Sequence, residues 1–219
     1  NEEMKVSFCE EDSESKKIMK PIIKGRDIEK YHHRLTNTWI INSHNGYSIN
    51  SKTIPPVDVK KNHPIIFKYI EKINKQSNGK LAGRADRGKH WTNLRNCAFL
   101  HKFSNEKIIW IELTNENRFA FSNNEEYLLA GAFFMTGKSL KYLIAFLNSP
   151  ICKFYFKLIC NSSGMGTVQW KKFAMERIPI PKLNEKEQNP LIKLVNEILV
   201  ITKNSEYQEN LNNQILVKE

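Results

Sequence analysis

The stretch from Leu128 to Cys160 is the most apolar part of the chain, and its interruptions decide what it can become. Lys138, Lys141, Lys153 and Lys157 break it, so no window offers the roughly 20 uninterrupted apolar residues of a membrane-spanning helix. Asn148-Ser149-Pro150 divides it again and predicts a helix over Leu140–Lys157 broken into two short pieces. Its apolar positions are Tyr142, Leu143, Phe146 and Leu147. With 219 residues, 40% of them hydrophobic and 26% charged, the chain can build one sizeable core or two small ones around such a pair.

Other elements follow from the same pattern reading. His63–Lys75 is a helix with Pro64 in its first turn and Ile65, Ile66, Tyr69, Ile70 and Ile73 on one face. Trp39–Asn42, Ile108–Ile111, Phe119–Phe121 and Ala130–Met135 read as strands, and Ile18–Ile23 as an apolar run broken by Pro21. Trp39, Trp110 and Trp170 are assigned to the core. Ile178-Pro179-Ile180-Pro181 is extended, because residues before proline avoid the helical region. Glu187–Ile201 is a strong amphipathic helix with Leu191, Leu194, Val195, Ile198, Leu199 and Thr202 on one side, and Gln208–Val217 is its expected hairpin partner. The division expected is a polar linker or strap over 1–17, a body over 18–182 and a C-terminal helical hairpin over 183–219. The acidic start lacks the apolar core of a signal peptide, and a first residue other than Met reads as an excised fragment.

Charge directs attention outward. Lys and Arg total 34 against 23 Asp and Glu, a net +11 that favours polyanionic partners, nucleic acid before membrane. Chemistry is harder to find. Cys9, Cys97, Cys152 and Cys160 are scattered without zinc-ligand spacing and read as free thiols of a reducing cytoplasm. Asp58-Val59-Lys60 has the D-x-K order of a nuclease but no paired carboxylate, and His32-His33 has no third ligand and reads as surface or phosphate-contacting. Gly164-Met165-Gly166 lacks the strand-turn-helix context of a phosphate loop. No catalytic and no metal site is therefore assigned.

A binding surface remains. Arg84, Arg87, Lys89 and His90 share a glycine-bracketed loop with Trp91, where flexible backbone and cations suit phosphates and the arginine fork suits guanine. Arg26 follows Gly25 in a similar but weaker setting, since Asp27 beside it could pair with it or cap the next turn. Asn161 and Ser163, with Lys171 and Lys172, make a second polar and basic loop, whose alternative is a solvated connector.

Taken in order, Ile22-Ile23-Lys24-Gly25-Arg26-Asp27-Ile28 with Tyr31, Gly83-Arg84 through Trp91, Lys107-Ile108-Ile109-Trp110, Tyr142 through Ser149, and Glu176-Arg177-Ile178-Pro179-Ile180-Pro181 before a helix make a colinear set. The set resembles the TaqI-like C-terminal specificity domain, the target-recognition domain of Type IIG restriction-modification enzymes and adenine-specific DNA methyltransferases. The resemblance implies an α+β fold, with a curled β-rich recognition body, packed helices and a C-terminal helical hairpin. It also implies a cytoplasmic, bacterial double-stranded DNA-binding module that is no enzyme by itself and partners the parent's catalytic domain. S-adenosylmethionine, and Mg²⁺ where the parent cleaves, then belong to the parent rather than to this chain. Two other readings stay open: a single-strand or RNA binder that stacks bases on aromatics, and a module whose C-terminal helices dock a partner subunit.

Overall fold

The computed structural model describes residues 1–34, 37–160, 167–203 and 207. The architecture is mixed α+β, with small sheets and eight helices among the described residues. Two compact units can be distinguished, and neither is continuous in sequence. The first comprises Asn1–Ile22, Asn37–Ser104 and Glu125–Tyr127, the second Ile23–Thr36, Asn105–Asn124 and Leu128–Glu219. No helix among the described residues is long and apolar enough to cross a membrane.

In the first unit the segment expected as linker or strap is helical: α1 (Glu2–Glu11) and α2 (Ser15–Ile18). Asn1 caps α1 by accepting the Met4 amide, and Phe8 is buried edge-on to Tyr69 at 5.1 Å. Pro21 does not end the apolar run that follows. β1 (Met19–Ile23) pairs antiparallel with β2 (Trp39–Ile41), with Pro21 opposite Trp39. Trp39 is only half-buried, since its indole N–H donates to Glu2 and Lys5 lies over its ring. A hairpin of β3 (Tyr47–Ile49) and β4 (Lys52–Ile54) follows. Asp58 caps α3 (Val59–Asn62) by accepting the Lys61 amide, which gives the D-x-K segment a structural role. α4 (Pro64–Gln76) starts on its proline as expected and buries Ile66 with Val59, Ile18, Met19 and Phe8. A 3₁₀ turn, Leu100–Ser104, sets Phe103 flat on Tyr127 at 4.5 Å, and the Asn42 amide donates to the Tyr127 hydroxyl.

The second unit is built on a three-stranded antiparallel sheet in the order β6-β5-β8. β5 (Lys107–Ile111) is central, between β6 (Phe119–Ser122) and β8 (Ala132–Met135); the two-residue β7 (Tyr127–Leu128) precedes β8. One face packs on α5 (Leu140–Leu147) and α6 (Pro150–Ile159), around Ile108, Phe119, Ile144, Leu147 and Phe156. Ile23, Ile28, Ile109 and Ala120 form a smaller core. Trp170, buried as expected, stacks on Phe156 at 3.6 Å, while its indole N–H donates to the Thr114 carbonyl and its own carbonyl accepts from Trp110. After the short α7 (Lys172–Met175) comes α8 (Glu185–Lys203), opened by a reciprocal cap between Asn184 and Glu187. Its inner face carries Val195 into the core, whereas Leu194, expected on that side, is exposed. The hairpin partner expected over Gln208–Val217 lies outside the described residues.

The Leu147-Asn148-Ser149 break is wired rather than loose. The Asn148 side chain accepts the Phe119 amide at 3.0 Å and donates to the Phe119 carbonyl at 2.9 Å, acting as a strand partner for β6. Asn117 donates to the Leu147 and Ser149 carbonyls, Lys30 to the Asn148 carbonyl, and Ser149 caps α6 through the Cys152 amide. Tyr31, held at φ 68°, exchanges backbone bonds with Phe119 and Phe121 along the same strand. The Tyr142 hydroxyl donates to the Pro181 carbonyl at 2.6 Å, which fixes the Ile-Pro-Ile-Pro run on α5.

Candidate nucleic-acid interface

Each unit presents its own basic surface. In the first, the segment Leu81–Asn96 is folded around Asn93, which is fully buried. Its side-chain amide donates to the Val57 carbonyl at 2.8 Å and its Oδ1 accepts the His90 amide at 2.8 Å. Arg84 belongs to this scaffold: its Nη2 donates to the Asn93 carbonyl at 2.7 Å and its Nε to the Leu81 carbonyl at 3.2 Å. With its side chain 31% exposed, Arg84 is a clamp across the base of the loop and not a free guanidinium fork.

The freer cations sit above that clamp. Arg87 is exposed and donates from Nη1 to the Ala82 carbonyl at 2.6 Å, and Lys89 is exposed with its backbone amide bound to Asn45 Oδ1 at 2.7 Å. Asn45 in turn donates to Asn96 at 2.6 Å. Gly88 is required by this contact, since a Cβ there would lie 2.2 Å from Asn45 Cγ. Trp91 is half-buried and meets Phe67 edge-on at 5.9 Å, so it anchors the loop. His90 is half-buried as well. Neither Asn45 nor Asn93 stood out in the sequence, because a polar residue in a polar loop gives no periodic signal.

In the second unit Arg26 occupies the middle of a 3₁₀ turn, Gly25–Asp27. The turn is closed by the buried Asp27 carboxylate, which accepts the Lys24 amide at 3.0 Å, and Gly25 is pressed on β5, where a Cβ would come within 2.6 Å of Ile111 Cδ1. Asp27 lies 3.9 Å from Arg26 Nε, yet the Arg26 side chain is 78% exposed and points its charge to solvent. A cleft of about 430 Å³ opens beside it, with Lys24, Arg26 and Glu112 as charged lining and Leu113 and Leu129 as half-exposed apolar walls. Lys171 reaches Glu112 at 3.5 Å, so two segments far apart in sequence meet at one carboxylate. Lys172 is 82% exposed and lies 3.6 Å from Glu176. Asn161 and Ser163 fall outside the described residues.

Other groups have structural surroundings. His32 is half-buried beside the Lys30 carbonyl and edge-on to Tyr207 at 5.2 Å, in place of the surface position expected. Burial pushes its pKa down, as it does those of His44 and His63. Among the described residues no three His, Cys, Asp or Glu side chains gather into a metal site.

The model of the TaqI-like C-terminal specificity domain matches residues 20–180. The chain belongs to this family. The matched span runs from β1 to the Ile-Pro-Ile-Pro segment, so the specificity domain includes both basic surfaces. The chain is also 21% identical over 209 residues to the Type II methyltransferase M.MjaIV of Methanocaldococcus jannaschii, covering 92% of this chain and 67% of that protein. Within the specificity domain, the family-like segments Gly25-Arg26-Asp27, Gly83-Arg84 and Leu147-Asn148-Ser149 are turns held by hydrogen bonds between their own side chains and backbone groups. What those turns hold in place is an exposed cation, Arg26, in the first case, the base of the basic loop in the second and a strand in the third.

Proposed function

We propose that this chain is the sequence-specific double-stranded DNA recognition part of a restriction-modification enzyme. Family membership across residues 20–180 carries the reading, and the turns that offer Arg26, Arg87 and Lys89 to solvent, with Lys172 at the start of α7, give it a surface. Such cations fix register on phosphates, while base edges supply the sequence preference. Adenine methylation with S-adenosylmethionine, and Mg²⁺-dependent cleavage of the Type IIG kind, fall to the remaining part of the parent in a bacterial cytoplasm. The M.MjaIV relative, itself a Type II methyltransferase extending beyond the aligned region, supports that division.

The stacking alternative finds little support in the basic loop, where Trp91 is packed against Phe67. Docking through α8 draws on exposed Leu194, Val200 and Ile201, but its Val195 face serves the core of the second unit. The deciding experiment is selection from a randomised duplex library at low and high salt. One short motif enriched at both salts is expected. Enrichment of nothing, with binding abolished by salt, would reduce the chain to an electrostatic contact.

A further inference from the structure

The geometry points to the β3–β4 hairpin as a base-reading ribbon, with Asn50 and Ser51 at its tip as specificity-determining residues. The inference rests on the duplex-recognition reading above and adds residues that neither charge nor family resemblance singles out. Its first support is that the hairpin has no strand neighbours beyond its own pair among the described residues. Tyr47, Ile49 and Ile54 are half-buried, whereas Ser48 and Thr53, paired across the strands, are exposed together with Asn50, Ser51 and Lys52. Two three-residue strands bury too little for independent stability, so local packing alone explains the ribbon poorly.

The turn gives a second, independent sign. Asn50 and Ser51 both have positive φ, 47° and 63°, as a type I′ hairpin requires. Asparagine tolerates that region, but serine at the second position stands where glycine is the unstrained choice. Backbone strain of this kind gathers at functional sites, which draws attention to the Ser51 side chain. An asparagine amide matches the N6/N7 edge of adenine, the serine hydroxyl can donate or accept, and Lys52 beside them suits guanine O6/N7.

Placement and reach agree. The root of the hairpin is tied to the basic loop, because Asn45, two residues before Tyr47, holds the Lys89 amide. At about 3.4 Å per residue a three-residue strand spans about 10 Å, comparable with a major groove about 8.5 Å deep and wide enough for a two-stranded ribbon. Arg87 and Lys89 then meet phosphates beside the groove that the tip enters.

The test compares three forms of the chain in the randomised-duplex selection, with urea unfolding of each: wild type, Asn50→Gly/Ser51→Gly, and Arg87→Gln/Lys89→Gln. Glycine keeps the turn, so the hairpin variant should unfold at the same or a higher urea concentration while its preference at one or two base positions falls about 5- to 150-fold with the salt slope unchanged. The loop variant should keep the motif and lose about one unit of salt slope per phosphate contact. Ser48→Ala/Thr53→Val serves if the tip variant folds poorly, and it should relax an adjacent position. A wild-type motif reproduced at full strength by both hairpin variants would overturn the ribbon and leave duplex recognition standing. A wild type that selects no motif would overturn both.

Discussion

Replacing Asn148 by alanine removes two hydrogen bonds at once and strands the Phe119 amide, while the Phe119 carbonyl keeps the Tyr31 amide at 2.7 Å. Phe119 is 1% exposed and Asn148 3%, so the Phe119 amide cannot turn to water without opening the edge of β6. The stranded amide costs about 1–3 kcal/mol and the carbonyl's lost second bond about 1 kcal/mol, which sets the expected loss at about 2–4 kcal/mol. Against roughly 5–15 kcal/mol for an ordinary domain, that is a large share of the second unit's stability and should lower its urea midpoint clearly. Asn148→Asp should do at least as much damage, since the carboxylate keeps the acceptor for the Phe119 amide but faces its carbonyl without a donor. Urea unfolding gives the global change, and hydrogen exchange at the Phe119 amide gives the local one. A loss below about 1 kcal/mol, with Phe119 still protected, would refute the view that this side chain acts as a strand.

Arg84→Lys keeps the charge but cannot span the Leu81 and Asn93 carbonyls, so it should lower the stability of the first unit by about 1–3 kcal/mol after allowance for partial exposure, measured by urea unfolding. Burial depresses the pKa values of His32, His44 and His63, so below about pH 6.5 the unfolded chain binds protons that the native chain does not. Stability should therefore be greatest above that pH and fall as pH drops from it toward the depressed native values; an equal urea midpoint at pH 7.5 and 5.5 would contradict this. The Cys152 thiol, buried and pushed up to about 12, should resist alkylation at pH 8 in the native chain and react in urea, with mass mapping of the modified peptide as the readout.

The long elements were legible because their signals are local. Pro64 and the Ile65–Ile73 spacing announce α4, and Asn148-Ser149-Pro150 announces the α5/α6 break. α1 escaped because Phe8 is its single buried residue, and a helix with so little apolar face shows no period. The β3–β4 hairpin escaped because Asn50-Ser51 lacks the glycine of the usual hairpin turn. Cations of the interface were readable as residue types, but their division of labour was not. Whether an arginine clamps carbonyls, as Arg84 does, or faces solvent, as Arg26 does, depends on carbonyls brought near by distant chain.

The discontinuous first unit also sets a timetable for synthesis. Ile18 and Met19 emerge about a hundred residues before Glu125, which pairs with Lys20 at 2.6 Å, and Tyr127, which packs on Phe103. At about 5–20 residues per second the ribosome leaves that unit incomplete for roughly 5–20 s. During that interval its apolar surfaces are open to chaperones, and a nascent chain stalled before Tyr127 offers quality control an unfinished core.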